Sequence, residues 1–208
     1  MLLFKFKSLK TFAHIEQIIS SDEFYLSNWR EFNDPMEGHF TVLYEDRRQY
    51  QRLLQDFIHY KLKLRICSFS GSLKNILLWS HYADQHKGIA IGVRTNGPLQ
   101  NDVLANNFIY SMYKVAYVPN IPQMELSPNA TPITVLTKKI SIWAYEKEYR
   151  YISEDSTAHI GPIDSIYFGI RTSQDDKDRI KELVANKPIK IYDTSIDFRK
   201  NHIVKKII

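Results

Sequence analysis

The 208-residue sequence has a single cysteine, Cys67, and only seven glycines. One cysteine excludes an intrachain disulfide framework and a cysteine-based zinc site. Neither G-x-G-x-x-G nor G-x-x-x-x-G-K occurs, which excludes a Rossmann or P-loop nucleotide site. Cys67 lies in a short apolar run, so we interpret it as a small buried strand residue and not as a nucleophile.

Long apolar segments are also lacking. No run approaches the ~20 residues that span a bilayer, and the N-terminus meets Lys5, Lys7 and Lys10 too early for a signal peptide. We therefore expect a soluble, cytoplasmic protein that does not associate with membranes. The length predicts a single domain over residues 1–208.

Charge and aromatic content permit two kinds of ligand. The formal net charge of +5 allows attraction to phosphates without requiring it. Aromatic residues make up 13% of the chain, and they fit either an aromatic-rich core or stacking surfaces for bases or nicotinamide. Composition leaves both interpretations open.

Strand and helix patterns interleave without a regular βαβ period, which favours an α+β or mixed fold over a doubly wound sheet. The alternating and apolar runs predict strands at 2–6, 24–26, 64–69, 88–93, 108–118, 148–152, 165–170, 189–192 and 203–208. Helical spacing predicts a helix capped by Ser8 and helices at 45–62, 73–84, 133–140 and 175–185. Four prolines within 119–132 predict a long irregular loop, a candidate lid over a substrate.

The strand predicted at 148–152 places Glu148, Arg150 and Ile152 on one face. A carboxylate there, near Trp143 and Tyr145, can accept a hydrogen bond from a ligand hydroxyl and can stabilise positive charge that develops on the ligand. The alternative is a structural ion-pair cluster of acidic residues with Arg150. We take Glu148 as the candidate catalytic residue and Arg150 as a candidate ligand-binding residue.

The segment around Trp79 carries a second group of candidates. Trp79, His81 and Tyr82 are candidate binding residues, and the alternative is that Trp79 and Tyr82 fill the core while His81 bonds backbone. His81 and Asp84 are three residues apart and can pair on a helix. No nucleophile elbow surrounds Ser80, which argues against a catalytic triad, and the histidines lack a zinc spacing; we predict no metal site.

Asn33 and Asp34 precede a proline, a pattern typical of an Asx turn. The functional alternative is that Asn33, Asp34 and Glu37 line the rim of a pocket. An acidic metal cluster of a nuclease is a further possibility, formed by Asp34, Glu37, Glu146 and Glu148.

These motifs together resemble a bacterial family, the domain-of-unknown-function 2971 family, along nearly the whole chain. The matching segments are 3–8 (LFKFKS), 32–37 (FNDPME), 67–70 (CSFS), 78–83 (LWSHYA), 86–88 (HKG), 143–150 (WAYEKEYR) and 166–169 (IYFG). The family has no defined function, so this resemblance implies none.

The chain more distantly resembles ADP-ribosyltransferase-like domains, which implies a mostly antiparallel split sheet with flanking helices. In those domains a first strand touches the NAD ribose, a middle segment supports nicotinamide and a late strand begins with a catalytic glutamate. Carried across, the resemblance implies NAD as a substrate with Lys5 in the first position and Glu148 in the last. The middle position falls to Ser68, Ser70 and Tyr82. Many relatives have histidine where this chain has Lys5.

Three functions follow as hypotheses. The first is an NAD-using ADP-ribosyltransferase-like protein, a toxin or phage-defence component with a nucleic-acid or protein acceptor. The second is a nucleic-acid-binding or metal-dependent nucleic-acid-cleaving protein. The third is a non-catalytic interaction domain on the same scaffold, in which the motifs are packed and mutually satisfied. The sequence does not indicate an oligomeric state.

Overall fold

The computed structural model describes residues 1–43, 47–95 and 111–207. Helices and strands alternate irregularly, and the architecture is mixed α/β with an open, mostly antiparallel sheet and several helices. The expectation of a mixed, mostly antiparallel fold is confirmed at this level.

The strands are β1 (Leu2–Lys7), β2 (Glu23–Tyr25), β3 (Ser27–Asn28), β4 (Thr41–Leu43), β5 (Arg65–Ser70), β6 (Ile89–Arg94), β7 (Ser111–Lys114), β8 (Ala116–Val118), β9 (Gln123–Glu125), β10 (Lys138–Ile140), β11 (Glu148–Ser153), β12 (Thr157–His159), β13 (Ile163–Phe168), β14 (Lys190–Asp197) and β15 (His202–Ile207). The α-helices are α1 (Phe12–Ser21), α2 (Arg47–Lys63), α3 (Ile76–Tyr82), α4 (Ile133–Leu136) and α5 (Gln174–Val184). Two 3-10 helices cover Trp29–Glu31 and Ser141–Glu146.

The described residues form two compact units. The first unit contains residues 1–24, 69–95 and 158–207, and the second contains residues 25–43, 47–68 and 111–157. Each unit has its own buried apolar residues. The prediction of one domain remains a prediction.

In the first unit, strands follow the order β15-β14-β13-β6-β1. β6 pairs antiparallel with both β1 and β13, and β14 is the one strand that runs parallel to β13. Strand β6 is buried on both faces from Ile89 to Val93, which explains its almost continuous apolar sequence.

Gly88 leads into β6 where two backbone segments meet. A Cβ at Gly88 would lie 2.1 Å from the carbonyl oxygen of Lys7, closer than any side chain permits. Just before it, Asp84, Gln85 and His86 all have positive φ angles, of 45°, 55° and 71°. Such a run is sterically unfavourable for residues with side chains, so the surrounding contacts must hold this turn.

In the second unit, β11 pairs antiparallel with β7, and β3 pairs antiparallel with β5. Two short parallel pairs, β8 with β10 and β4 with β9, complete its strands. One buried cluster is formed by Leu64, Ile66, Tyr113, Ile133, Leu136 and Ile152. This apolar packing surrounds the polar site described below.

Several boundaries differ from the sequence predictions. The first helix begins at Phe12 because Ser8 accepts the N–H of Lys10 at 3.1 Å and closes a turn instead of capping the helix. The segment 119–132 is not wholly irregular, since β9 pairs with β4. The helix predicted over 133–140 ends at Leu136, and the rest of this segment forms β10.

The predicted helix at 73–84 is also too long, because Asn75 caps its start by accepting the N–H of Leu77 at 2.8 Å. The boundaries of the other predicted elements agree with the observed ones to within a few residues, except that β14 extends to Asp197. Residues 45–46, 108–110 and 208 of the predicted elements lie outside the described residues.

Candidate functional site: a buried ionic cluster

The site lies in the second unit and is centred on Arg150, in the middle of β11. Alternation along β11 directs Glu148, Arg150 and Ile152 to the buried face, as predicted, while Tyr149 and Tyr151 are half-buried on the other face. Because the guanidinium is completely buried, all its donors require partners within the protein.

All five N–H donors of Arg150 are used. Nε and Nη2 donate to the two carboxylate oxygens of Glu148 at 2.8 and 2.9 Å. Nη1 and Nη2 donate to Oε1 and Oε2 of Glu37 at 2.6 and 2.9 Å, and the second Nη1 donor binds the carbonyl oxygen of Leu136 at 2.6 Å. Arg150 therefore has no donor left for a ligand.

Glu37 reaches Arg150 from the loop that carries the Asn-Asp-Pro sequence. Asp34 is buried and accepts the N–H of Met36 at 2.9 Å, while the Glu37 N–H donates to the Asp34 carbonyl oxygen at 3.0 Å. This is the Asx-turn interpretation of Asp34. The turn orients Glu37 inward, whereas Asn33 is exposed.

Lys139 provides the second cation of the cluster. Its Nζ donates to Glu146 Oε2 at 2.7 Å and to Glu148 Oε2 at 3.4 Å, and it lies 4.0 Å from Glu37 Oε2. It also lies 4.8 Å from the ring centroid of Trp143. Burial acts to lower the pKa of Lys139, but Glu148 and Glu146 outweigh burial and raise it.

Glu148 is held ionised. Burial acts to raise the pKa of Glu148, but the charges of Arg150 and Lys139 and the hydrogen bonds from Arg150, with a smaller effect of the nearby Ser68, hold this pKa at about 2. Its backbone N–H donates to the hydroxyl of Tyr117 at 2.8 Å, and burial raises the pKa of that tyrosine. The carboxylate is therefore negative at any physiological pH.

A third buried cation, Lys61 in α2, lies near Glu37. Its Nζ donates to the carbonyl oxygen of Gly38 and lies 3.9 Å from the ring centroid of Trp29 and 5.1 Å from that of Phe40. Burial lowers the pKa of Lys61 to about 8, although the charge of Glu37 acts to raise it. Three buried glutamates and three buried cations thus balance in charge.

Other predicted site residues lie in the first unit. Trp79 is fully buried, with Nε1 donating to the carbonyl oxygen of Leu73 at 2.9 Å. Ser70 accepts the N–H of Ser72 and donates to its carbonyl oxygen. Lys5 Nζ lies 5.7 Å from the ring centroid of Phe69. These contacts are those of a packed core and a local turn.

His81 is exposed and its ring lies edge-on to Tyr82, with centroids 6.2 Å apart. Asp84 pairs with Lys10 and not with His81 as suggested, because its carboxylate accepts a hydrogen bond from Lys10 Nζ at 2.7 Å. Left-handed backbone at Asp84 ends the helix before the two residues share a helical face.

The second unit thus brings Ser68, Glu148 and Arg150 together, with Glu37 and Glu146. Sequence reasoning missed Lys139, Lys61 and Tyr117. Lys61 follows Leu54 and Phe57 at helical spacing, and this spacing places it on the apolar side of α2. No comparable signal marks Lys139, whose neighbour Lys138 is also a lysine.

The suggested acidic metal cluster is not formed, because Arg150 and Lys139 already occupy the space between the glutamates. Within residues 1–43, 47–95 and 111–207, no group of three histidine, cysteine or acidic side chains is arranged to hold a metal ion. Among the helices of the same residues, none combines the length and apolar character needed to cross a bilayer.

Comparison with protein families finds a match over part of the chain. Residues 78–151, which include β6, the first four residues of β11, Lys139, Glu148 and Arg150, match a family described as protein of unknown function (DUF2971). This match supports the predicted relationship to that family over the matched segment. Searches of curated proteins and of solved structures found no match. The matched segment supplies most of the buried cluster, while Glu37, Lys61 and Ser68 come from outside it.

Proposed function

We propose that this chain is an ADP-ribosyltransferase-like protein acting on NAD, as a bacterial toxin or phage-defence component, with Glu148 as its catalytic carboxylate. The observation that carries the proposal is the position of the buried, ionised Glu148, which is the first residue of β11 and has Ser68 of β5 nearby. The resemblance to ADP-ribosyltransferase-like domains implies a serine from a middle strand and a glutamate at the first residue of a late strand. Ser68 lies in β5, and Glu148 is the first residue of β11.

The proposed reaction breaks the bond between ribose C1′ and the nicotinamide nitrogen. The bonding electron pair leaves with nicotinamide and neutralises its pyridinium ring. An acceptor nucleophile, or water, then bonds to C1′ and loses a proton. Because the transition state resembles an oxocarbenium ion, a carboxylate that holds the ribose 2′-hydroxyl stabilises it.

Glu148 must exchange one partner to serve this role. Its longest contact is the 3.4 Å one between Oε2 and Lys139 Nζ, and Lys139 keeps a 2.7 Å contact with Glu146. A ribose hydroxyl can replace Lys139 at Oε2 while Arg150 continues to orient the carboxylate. Arg150 is thus proposed as a positioning residue and not as an NAD ligand.

The test is nicotinamide release from NAD, measured together with NAD-dependent thermal shift, for the wild type, Glu148→Gln and Ser68→Ala. We expect Glu148→Gln to reduce release by about 10²- to 10³-fold, and Ser68→Ala by about tenfold. Glu146→Gln is the matched control, since it removes a buried carboxylate that also binds Lys139. It should retain release at a temperature where it is folded.

Absence of both release and thermal shift in the folded wild type, with candidate acceptors present, would overturn the proposal. So would equal losses in Glu148→Gln and Glu146→Gln, because they would show that any change in cluster charge has the same effect. Each variant is therefore compared only after circular dichroism shows that it is folded.

A second candidate is the non-catalytic interaction domain. It is favoured by the complete use of the Arg150 donors and by the burial of Glu37, Glu146 and Glu148. In this case the cluster serves stability alone, and NAD neither binds nor reacts. Glu148→Gln would then change the free energy of unfolding while every NAD measurement stays at the level of a blank.

A further inference from the structure

The hairpin formed by β14 and β15 carries much of the net charge. Residues 190–207 contain five Lys and Arg side chains and two Asp side chains, so five minus two leaves +3 of the formal +5. The basic residues are Lys190, Arg199, Lys200, Lys205 and Lys206. β15 is also the last strand in the order of its sheet.

Both aspartates of this hairpin already have partners. Asp193 accepts from Lys177 Nζ at 2.6 Å and lies opposite Lys206 in the strand register. Asp197 Oδ1 accepts the N–H groups of Arg199 and Lys200 at 3.0 and 3.3 Å. Within the part of the chain that the structure describes, neither Arg199 nor Lys200 has a salt bridge, and their charge faces solvent.

The tip of the hairpin is a hydrogen-bonded turn that exposes an aromatic ring. The Asp197 carboxylate and the left-handed Asn201, with φ of 51°, define the turn. Between them Phe198 is 82% exposed, and Arg199 and Lys200 are exposed beside it. Lysines protect an edge strand from pairing with other strands. A solvent-exposed phenylalanine favours association instead, so protection of the edge does not explain why Phe198 is exposed.

Basic and aromatic side chains continue from the tip along one face of the strands. Lys205 Nζ lies 4.8 Å from the ring centroid of Tyr192, and Tyr192 stacks on Tyr167 with centroids 5.0 Å apart. Lys190 is on the same face as Tyr192 by strand alternation. Asp164, an acid of the neighbouring strand β13, is bound by Arg94.

We propose that the β14–β15 hairpin binds single-stranded nucleic acid, with a base stacked on Phe198 and phosphates bound by Arg199 and Lys200. Flexible single strands expose both base faces and phosphates, and proteins bind them by combining aromatic platforms with a basic surface. Lys205 and Lys190 extend the basic surface along the strand face. This inference goes beyond the proposed NAD reaction and concerns residues of the first unit alone.

The test is fluorescence anisotropy of a labelled oligothymidylate with the full chain, titrated at several salt concentrations. We expect Arg199→Gln/Lys200→Gln to weaken binding about tenfold and to reduce the salt slope by about 1.4, since each phosphate contact on a single strand contributes about 0.7. Phe198→Ala should weaken binding about tenfold with the salt slope unchanged. Phe198→Tyr should bind like the wild type.

Arg171→Gln/Lys181→Gln is the matched control, because it removes two positive charges of the first unit outside the hairpin. It should bind like the wild type. An equal loss in this control would overturn the assignment of the site to the hairpin. Lack of binding by the folded wild type at low salt, tighter binding to duplex DNA, or binding to anionic vesicles without oligonucleotide binding would each overturn the proposal.

Discussion

Arg150 and Glu37 form a bidentate, completely buried ion pair between residues 113 positions apart in the chain, with N–O distances of 2.6 and 2.9 Å. The pair joins the middle of β11 to the loop that carries the Asn-Asp-Pro sequence. Lysine is not equivalent to Arg150 here, because only a guanidinium fork donates to both carboxylate oxygens at once. Glu148 completes the arrangement from two residues away.

Removal of this guanidinium should destabilise the protein strongly. Arg150→Met leaves Glu37 and Glu148 buried without their main cation, and we expect a loss of about 3–5 kcal/mol in the free energy of unfolding. Urea denaturation followed by circular dichroism at pH 7 measures this loss. Arg94→Gln is the control, since Arg94 pairs with Asp164 at an exposed position and should contribute at most about 1 kcal/mol. A small effect of Arg150→Met would contradict the buried network.

Acid should destabilise the fold through Glu148. The pKa of this carboxyl is about 2 in the folded chain, below its ordinary value of 4.5. The ionised Glu148 therefore makes its full contribution to the free energy of unfolding above pH 4.5. This contribution, on the order of 3 kcal/mol, is lost as pH falls toward 2. Glu148→Gln should flatten this part of the stability–pH curve, measured by urea denaturation. The exposed variant Glu16→Gln should keep the wild-type slope, and equal slopes in all three proteins would contradict the prediction.

Lys61 should give a second rise of stability with pH, in alkaline solution. Its pKa is about 8 in the folded chain and 10.5 ordinarily, so the unfolded chain binds more protons between these values. Stability therefore rises with pH above 8. We expect Lys61→Met to lack this rise between pH 7 and 9.5 in urea denaturation, while Lys63→Met, at an exposed position of the same helix, keeps it. If the free energy of unfolding still rises with pH in Lys61→Met, a group other than Lys61 must titrate in this range.

Trp79 should behave as a core residue. It is fully buried, donates to the Leu73 carbonyl oxygen and packs edge-on against Phe6 with centroids 5.1 Å apart. Trp79→Phe removes the donor and leaves a void, for an expected loss of about 2 kcal/mol. The half-buried Trp143→Phe should lose less in the same thermal and urea experiments. If Trp79→Phe were neutral, the segment would have another role than packing.

Local patterns predicted much of the secondary structure. The apolar run before Arg94 predicted β6, and alternation placed Glu148, Arg150 and Ile152 on one buried face of β11. These predictions succeed because the period of side-chain burial follows from backbone geometry alone. They fail where a short local contact competes, as when Ser8 closes a turn or Asn75 begins a helix later than expected.

Contacts between distant segments were beyond such patterns. β9 exists because it pairs with β4. The surrounding segment 119–132 contains four prolines and has no local feature that predicts this pairing. Lys139 is similarly hidden, because Lys138 and Lys139 are the same residue type in adjacent positions and only packing decides which one is buried. The choice between an ion-pair cluster and an open site at Glu148 likewise depended on where Glu37 and Lys139 lie.

The sequence by itself determined the succession of most strands and helices, the match of residues 78–151 to the DUF2971 family and the residue types of the polar motifs. Tertiary structure decided that Glu37, Lys61 and Lys139 accompany Glu148 and Arg150. The physical reason is that burying a charge is unfavourable unless an opposite charge lies within hydrogen-bond distance. Such partners are brought together by strands and loops far apart in the chain, so only the folded molecule shows which charges are paired.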